Sequence, residues 1–138
     1  MAWAPLFSSL SEKWNTPAEL YRELDAEFTF DLDPCPAKWK SGDPDGLLIS
    51  WAGRRVFCNP PYGPNVHRWL ERWREADVAV FLLPARTDTR WFHDIALPFA
   101  REIRFVRGRL RFCDGPTGAP FPSIVVVFRN PKAREATQ

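Results

Sequence analysis

The chain has little of what metal sites and disulfide-rich folds require. Its 138 residues include only three cysteines, Cys35, Cys58 and Cys113, which lie far apart and without paired spacing. They predict neither a zinc site nor a disulfide framework, so buried thiols are the expectation. The two histidines, His67 and His93, are too few to build a metal site. We therefore expect no bound metal.

Long apolar runs and a strong net charge are lacking as well. No apolar run approaches the ~20 residues of a membrane span, and the N-terminus shows no signal-peptide pattern. These two features predict a cytoplasmic protein without a membrane partner. The net charge is only +2, which does not by itself argue for nucleic acid.

Apolar and aromatic residues, in contrast, are abundant. Hydrophobic residues make up 45% of the chain, and seven Trp and eleven Phe provide for a substantial core. The length predicts one domain, which we place at residues 14–129. Residues 1–13 show no clear pattern and are expected to form a loose arm. Residues 130–138 are expected to form a polar tail.

Three helices are predicted from capping signals and apolar spacing. The first has Thr16 as its N-cap, Pro17 at its first position and Glu19 completing a capping box, and it ends near Phe28. In the second, apolar residues recur at helical spacing, namely Val66, Trp69, Leu70, Trp73 and Ala76. The third has a polar cap and then an apolar face, namely Thr87, Asp88 or Thr89 followed by Trp91, Ile95 and Leu97.

Six short strands are predicted between and after these helices. They span Phe28–Leu32, Val56–Cys58, Val78–Leu83, Ile103–Val106, Arg109–Cys113 and Ser123–Phe128. The continuous apolar run Val78–Leu83 is typical of a strand that is buried on both faces of a parallel sheet. Strands that alternate with helices and end in an antiparallel pair predict a three-layer α/β sheet.

The most informative segment is Asn59-Pro60-Pro61-Tyr62, which directly follows the predicted strand Val56–Cys58. Because the two prolines fix φ and cannot donate hydrogen bonds, Asn59 and Tyr62 are held at fixed angles where a strand ends. In open α/β sheets, ligands bind just beyond the carboxyl ends of strands. An amide, a backbone carbonyl and an aromatic face at that place suit a substrate with an NH₂ group on a flat ring.

A nucleobase is such a substrate, and its exocyclic amine is a poor nucleophile because the ring delocalises its lone pair. The side-chain oxygen of Asn59 and the carbonyl of Pro60 can both accept hydrogen bonds from that amine and aim its lone pair at an electrophile. Tyr62 can stack on the base. Asn59, Pro60, Pro61 and Tyr62 are therefore the candidate catalytic group. The alternative is a structural Pro-Pro turn, but the full motif at a strand end favours catalysis.

Five further stretches join this motif in resembling one family. The chain resembles the S-adenosylmethionine-dependent methyltransferases that modify amino groups of bases, and more narrowly the small phage-type DNA N-6-adenine-methyltransferases. The matching stretches are Trp14–Pro17, Phe30–Cys35, Asp45–Leu47, Cys58–Gly63, Leu82–Thr89 and Pro120–Ser123. Within them, Pro-Ala-Arg-Thr-Asp-Thr is the most particular to the phage-type family. The resemblance also implies a bacterial host or a prophage as the setting.

The resemblance implies S-adenosylmethionine as the cofactor. Thr16 and Pro17 look like the segment that meets the methionine carboxylate, a role that a helix N-terminus supports. Asp33 would face the cationic methionine end, and Asp45 would accept a hydrogen bond from the cofactor's adenine amine. The full implied cofactor set is Trp14, Thr16, Pro17, Asp31, Asp33, Pro34, Cys35 and Asp45. The alternative for the polar members is an ordinary cap or turn.

The chain departs from the usual pattern of cofactor-binding sheets in two ways. Cys35-Pro36-Ala37-Lys38 stands where a glycine-rich loop is usual. Asp33 and Asn59 are too close in sequence for two further strand–helix units, since a parallel crossover takes roughly a dozen or more residues. We therefore expect an abbreviated Rossmann-like class I methyltransferase fold, with a mixed sheet and a C-terminal antiparallel strand. Weak cofactor binding, or help from a second subunit in a homodimer, would follow.

A DNA substrate requires a surface that holds phosphates and a wall for a base that leaves the duplex. The candidate phosphate contacts are Arg86, Arg90, Arg107, Arg109 and Arg111. The last three alternate along a predicted strand, and the alternative for them is the solvated face of an edge strand. Phe121 could form a second wall, opposite Tyr62, around a flipped base. It could equally plug the core.

The leading hypothesis is a site-specific DNA methyltransferase that moves a methyl group from S-adenosylmethionine to the exocyclic amine of adenine. One alternative keeps this chemistry but acts on a protein glutamine or an RNA base. Another is a degenerate, non-catalytic DNA-binding module, which the missing glycine-rich loop supports. Cofactor binding separates this last alternative from the other two.

Overall fold

The computed structural model describes residues 16–36, 45–110 and 121–131. Trp14, Arg111 and Cys113 lie outside the described residues, as do the expected N-terminal arm and most of the polar tail. The predicted domain boundaries therefore stay predictions.

A mixed four-stranded sheet forms the centre of the structure. Its strands are β1 (Arg55–Cys58), β2 (Val78–Pro84), β3 (Glu102–Phe105) and β4 (Ser123–Arg129). The spatial order is β1-β2-β4-β3, with β1 parallel to β2 and β4 antiparallel to both of its neighbours. The predicted α/β class, the mixed sheet and the antiparallel C-terminal strand are confirmed.

Both faces of the sheet are covered, because alternate strand residues contact helices on opposite sides. On one face, Leu24 and Phe28 of helix α1 (Ala18–Phe28) pack with Phe57. On the other face lie α2 (Val66–Leu70), the 3₁₀ turn Glu71–Glu75, the π-helical segment Phe92–Ala96 and α3 (Leu97–Phe99). All seven residues of β2 are buried, as its apolar run predicts. The three-layer arrangement is therefore confirmed.

Two predictions near the first helix are wrong. Thr16 is not the N-cap, since α1 begins at Ala18 with Pro17 in the cap position and no side-chain cap. The strand expected at Phe28–Leu32 is reduced to a single parallel bridge between Leu32 and Val56. The reason is that the helix continues to Phe28 and ends at Thr29, whose left-handed backbone (φ 53°) turns the chain.

The second predicted helix is confirmed more closely by burial than by type. Val66, Trp69, Leu70, Trp73 and Ala76 are all buried, although the helix is α only as far as Leu70. The strand expected at Arg109–Cys113 is described only for its first two residues. The prediction is wrong for them, since residues 109–110 belong to no strand. A left-handed Gly108 (φ 71°) turns the chain just before them.

The strand directions bring several segments to one edge of the sheet. Because β1, β2 and β3 run in the same direction, their last residues, Cys58, Pro84 and Phe105, lie at the edge where β4 begins. Pairing continues past the strand ends, since Ala85 N–H donates to the carbonyl of Pro122 at 2.8 Å. We call this the carboxyl edge, and it is where ligands bind in related sheets. No helix in the described ranges has the length and apolar character to cross a membrane.

Candidate active site

Asn59 lies at the carboxyl edge, directly after β1, and is only 1% exposed. Its amide nitrogen Nδ2 donates to Thr16 Oγ1 at 3.0 Å. The bond joins two predicted parts of the site that are far apart in sequence, the catalytic motif and the segment before α1. Since the nitrogen Nδ2 is the donor in this bond, the side-chain oxygen Oδ1 is the atom of the amide that can accept a hydrogen bond.

Tyr62 is held in the interior beside the same edge. It is 7% exposed, and its hydroxyl donates to the carbonyl oxygen of Leu82 in β2 at 3.2 Å. Burial raises the pKa of Tyr62 far above its usual range, and Cys58 adds to this effect. The phenol therefore stays neutral at any working pH, and its hydroxyl anchors the ring to β2.

Phe121, just before β4, covers the ring of Tyr62. The two rings meet edge to face, with centroids 5.3 Å apart and an interplanar angle of 69°. The guanidinium of Arg86 lies 5.9 Å from the Phe121 ring centroid. The structure thus brings the two predicted walls together. This contact leaves no room for a third ring between them, so a base can enter only when Phe121 moves.

The two stretches that carry the acidic residues expected to bind the cofactor, Asp33 and Asp45, also meet. The bridge from Leu32 to β1 is parallel, so Asp33 and Pro34 lead toward the carboxyl edge. A Cβ atom on Gly46 would lie 1.9 Å from the carbonyl oxygen of Pro34, so only glycine fits there. Asp33 and Asp45 each use Oδ1 to accept a backbone N–H two residues later, at 3.1 and 2.9 Å. Since a carboxylate has two oxygens, these turns engage one of them.

Arg72 supports the Asp45 turn, a role that sequence reasoning missed. Its guanidinium donates to the carbonyls of Leu47 (2.6 Å) and Ile49, and it pairs with Glu75. The hydrogen bonds from Arg72 lower the pKa of Glu75. No motif could have identified this residue, because Arg72 is one of several charged residues on the outer face of an amphipathic segment.

Trp51 completes this support from the interior. It is fully buried, and its indole N–H donates to the carbonyl of Gly46 at 2.9 Å. The guanidinium of Arg72 lies 5.0 Å from the Trp51 ring centroid. Because Arg72 follows α2, which begins after the Asn59–Tyr62 motif, one short stretch of chain carries that motif and also holds the Asp45 turn.

A chain-wide comparison identifies the family. Residues 5–136 match the family described as DNA N-6-adenine-methyltransferase (Dam). The chain belongs to this family. A DNA N-6-adenine-methyltransferase of Haemophilus phage HP1 (strain HP1c1) is 29% identical over 139 residues, which cover 87% of this chain and 79% of the relative. No solved structure matches.

Asp31, an expected cofactor contact of this Dam-family chain, makes hydrogen bonds that serve the structure. Its carboxylate accepts hydrogen bonds from Arg54 Nε (3.2 Å) and Arg55 N–H (2.8 Å). Both partners lie where β1 begins, at the end of the strand opposite Asn59. A cofactor contact by Asp31 stays a prediction. In the described ranges, no group of three or more His, Cys, Asp or Glu residues could hold a metal.

The candidate DNA-binding arginines do not form the stripe that alternation predicts. Arg107 and Arg109 lie after β3, on either side of the left-handed Gly108, so they do not share a strand face. Arg86 follows β2 and Arg107 follows β3, which places both close to the carboxyl edge. Arg90 is exposed just before the π-helical segment.

Proposed function

We propose that this Dam-family chain transfers a methyl group from S-adenosylmethionine to the exocyclic amine of adenine in DNA, on an abbreviated Rossmann-like class I scaffold. The observation that carries the proposal is the Asn59–Thr16 hydrogen bond at the carboxyl edge. It supports one site in which the amine-binding motif and the cofactor-binding segment are in direct contact. The parallel β1, β2 and β3, with helices on both faces, support the scaffold.

The amine acceptors are the side-chain oxygen of Asn59 and the backbone carbonyl of Pro60. Two accepted hydrogen bonds orient the NH₂ group and draw its lone pair out of conjugation with the ring. S-adenosylmethionine, held by the segments that carry Thr16, Asp33 and Asp45, would supply the methyl group that this nitrogen accepts, and the nitrogen would lose a proton to solvent. The rigid Pro60-Pro61 turn keeps both acceptors in place, so little reorganisation is needed during the reaction.

The residues of the cofactor segment fit S-adenosylmethionine. No side chain among the described residues caps the N-terminus of α1, which suits a carboxylate ligand there. Asp33 and Asp45 are exposed carboxylates, suited to a cationic methionine end and an adenine amine. When bound, the cofactor supplies an electrophilic methyl group on a sulfonium. The chain's own task is to orient that methyl toward Asn59.

DNA is the substrate that the family and the arginines near the carboxyl edge favour. A target adenine has to leave the duplex or come from a single strand, because the amine cannot reach the cofactor inside the stack. Displacement of Phe121 would free the face of Tyr62 for stacking by the base. Stacking on an aromatic side chain is worth about 1–3 kcal/mol per base. Arg86 and Arg107 stand close to this place to hold phosphates.

Incubation of the protein with DNA and methyl-labelled S-adenosylmethionine tests the proposal. We expect labelled N6-methyladenine after digestion of the DNA to nucleosides and mass analysis. RNA and glutamine-containing protein serve as competing substrates in parallel reactions. Label in those substrates alone would support the other amino methyltransferase hypothesis. No label anywhere, together with no heat of cofactor binding in calorimetry, would support the non-catalytic module.

Two arginines that flank β3 offer a matched test of the DNA-binding surface. Arg107 follows the strand near the carboxyl edge, and Arg101 precedes it at the opposite edge. We expect Arg107→Gln to reduce the slope of log affinity against log salt by about 0.9, because one phosphate contact is lost. Arg101→Gln removes the same charge and should leave the slope unchanged. Equal slopes for the two variants would mean that DNA does not pass over this edge.

A further inference from the structure

An open groove of about 490 Å³ runs between the start of α2 and the π-helical segment. Its apolar lining includes Trp91 and Ile95, which are 9% and 8% exposed. Charged and polar groups from both helices line the rest, and they include His67, Glu71 and Asp94. This volume lies in the range of about 300–1,000 Å³ that is typical of pockets for whole small ligands. π-Helical segments are also frequent at functional sites.

The position of the groove relates it to the candidate active site. Gly63 and Pro64, the two residues after the catalytic motif, line one side. Thr89 and Arg90, which follow the end of β2, line the other side. The groove therefore starts beside Tyr62 at the carboxyl edge but contains none of the four catalytic residues. A DNA strand whose adenine occupies the active site would place its neighbouring nucleotides in this groove.

The side chains of the groove offer both acceptors and donors. Glu71 and Asp94 are exposed carboxylates, and Arg90 is an exposed donor. The Nδ1 of His67 lies 3.1 Å from the carbonyl oxygen of Pro64. Because a carbonyl only accepts, Nδ1 is the donor of this contact. Two carboxylates would repel a phosphate, whereas a base edge presents amines that such acceptors recognise.

We propose that this groove binds a nucleotide next to the target adenine and reads its base through Glu71 and Asp94. The inference rests on the proposed function. At the major-groove edge, carboxylates accept hydrogen bonds from the exocyclic amines of cytosine and adenine, and they reject the carbonyl oxygens that guanine and thymine present there. The groove is thereby a specificity site. Since the described residues form a single sheet with its helices, base recognition would take place within the same unit as methyl transfer.

Methylation of duplexes with randomised bases around one adenine tests the groove. We expect the wild-type protein to prefer a base with an amine at its major-groove edge, cytosine or adenine, at one neighbouring position by roughly fivefold or more. The double variant Glu71→Gln/Asp94→Asn should still methylate DNA but lose the preference at that position alone. An amide both accepts and donates, so it no longer distinguishes an amine from a carbonyl.

The control is Glu23→Gln, which removes an exposed carboxylate of α1 on the opposite face of the sheet and should keep the wild-type preference. Circular dichroism verifies that all variants are folded. Methylation by the double variant with the wild-type preference would overturn the groove proposal and leave the proposed function standing. No methylation of any duplex by the wild-type protein would overturn the proposed function and the groove proposal with it.

Discussion

Asn59→Ala is expected to reduce the single-turnover rate of methyl transfer by about 100-fold or more, because removal of one preorganised polar group from an active site has an effect of that size. The amide oxygen that we propose orients the amine is lost, while the exposed acids Asp33 and Asp45 remain. The change also removes the donor to Thr16 Oγ1. We therefore expect only a small loss of cofactor affinity. Rapid-quench assays and calorimetry measure the two effects separately.

Two matched variants separate the roles of the Asn59 amide. Asn59→Asp keeps an acceptor for the amine, and the Thr16 hydroxyl can rotate to donate to it, so part of the activity should remain. Thr16→Val removes the hydroxyl that accepts from Nδ2 and should cost much less rate than Asn59→Ala. Wild-type turnover in Asn59→Ala would show that the turn is structural and that another group orients the amine.

Gly46→Ala is expected to weaken both the fold and cofactor binding. Its new methyl group would lie 1.9 Å from the carbonyl oxygen of Pro34, a backbone atom that cannot rotate away. Overpacking of this kind typically costs about 1–3 kcal/mol. The relief of the clash separates the turn that carries Asp45 from the segment that carries Asp33. Urea unfolding measures the loss of stability, and calorimetry with S-adenosylmethionine measures the loss of affinity.

Gly108→Ala is the control for this substitution. Gly108 has no atom within 4 Å of an added Cβ, but its φ of 71° strains any residue with a side chain. The expected cost of about 1–2 kcal/mol is therefore conformational, and cofactor affinity should stay at the wild-type value. Equal cofactor affinity in Gly46→Ala and Gly108→Ala would contradict this prediction. It would mean that cofactor binding does not require the close approach of the segments that carry Asp33 and Asp45.

Sequence reasoning succeeded where one strong local signal determined the outcome. The apolar run Val78–Leu83 predicted a strand covered on both faces, and every residue of it is buried. The Asn59–Tyr62 motif was correctly expected at the end of a strand, because paired prolines stop a ladder. The amphipathic pattern from Val66 to Ala76 predicted which residues enter the core.

The predictions that failed depended on competition between neighbouring elements. Phe28 suits a strand as well as a helix, and packing of α1 on the sheet decided for the helix. Arg107 and Arg109 alternate in sequence, but a single left-handed Gly108 between them removes the strand. The roles of Arg72 and of the groove residues depend on carbonyls and side chains brought close only by the fold. No spacing within one segment encodes such contacts.

The place of β4 has a consequence for the order in which the domain forms during synthesis. β4 is the last of the described strands along the chain, yet it lies between β2 and β3 and pairs with both. Among the described strands, β3 pairs only with β4, and β2 pairs with β1 and β4, so both lack a neighbour until the residues of β4 have left the ribosome. A sheet that depends on such distant pairings assembles slowly. The aromatic-rich nascent chain therefore stays exposed to chaperones and proteases until nearly all of the domain has been translated.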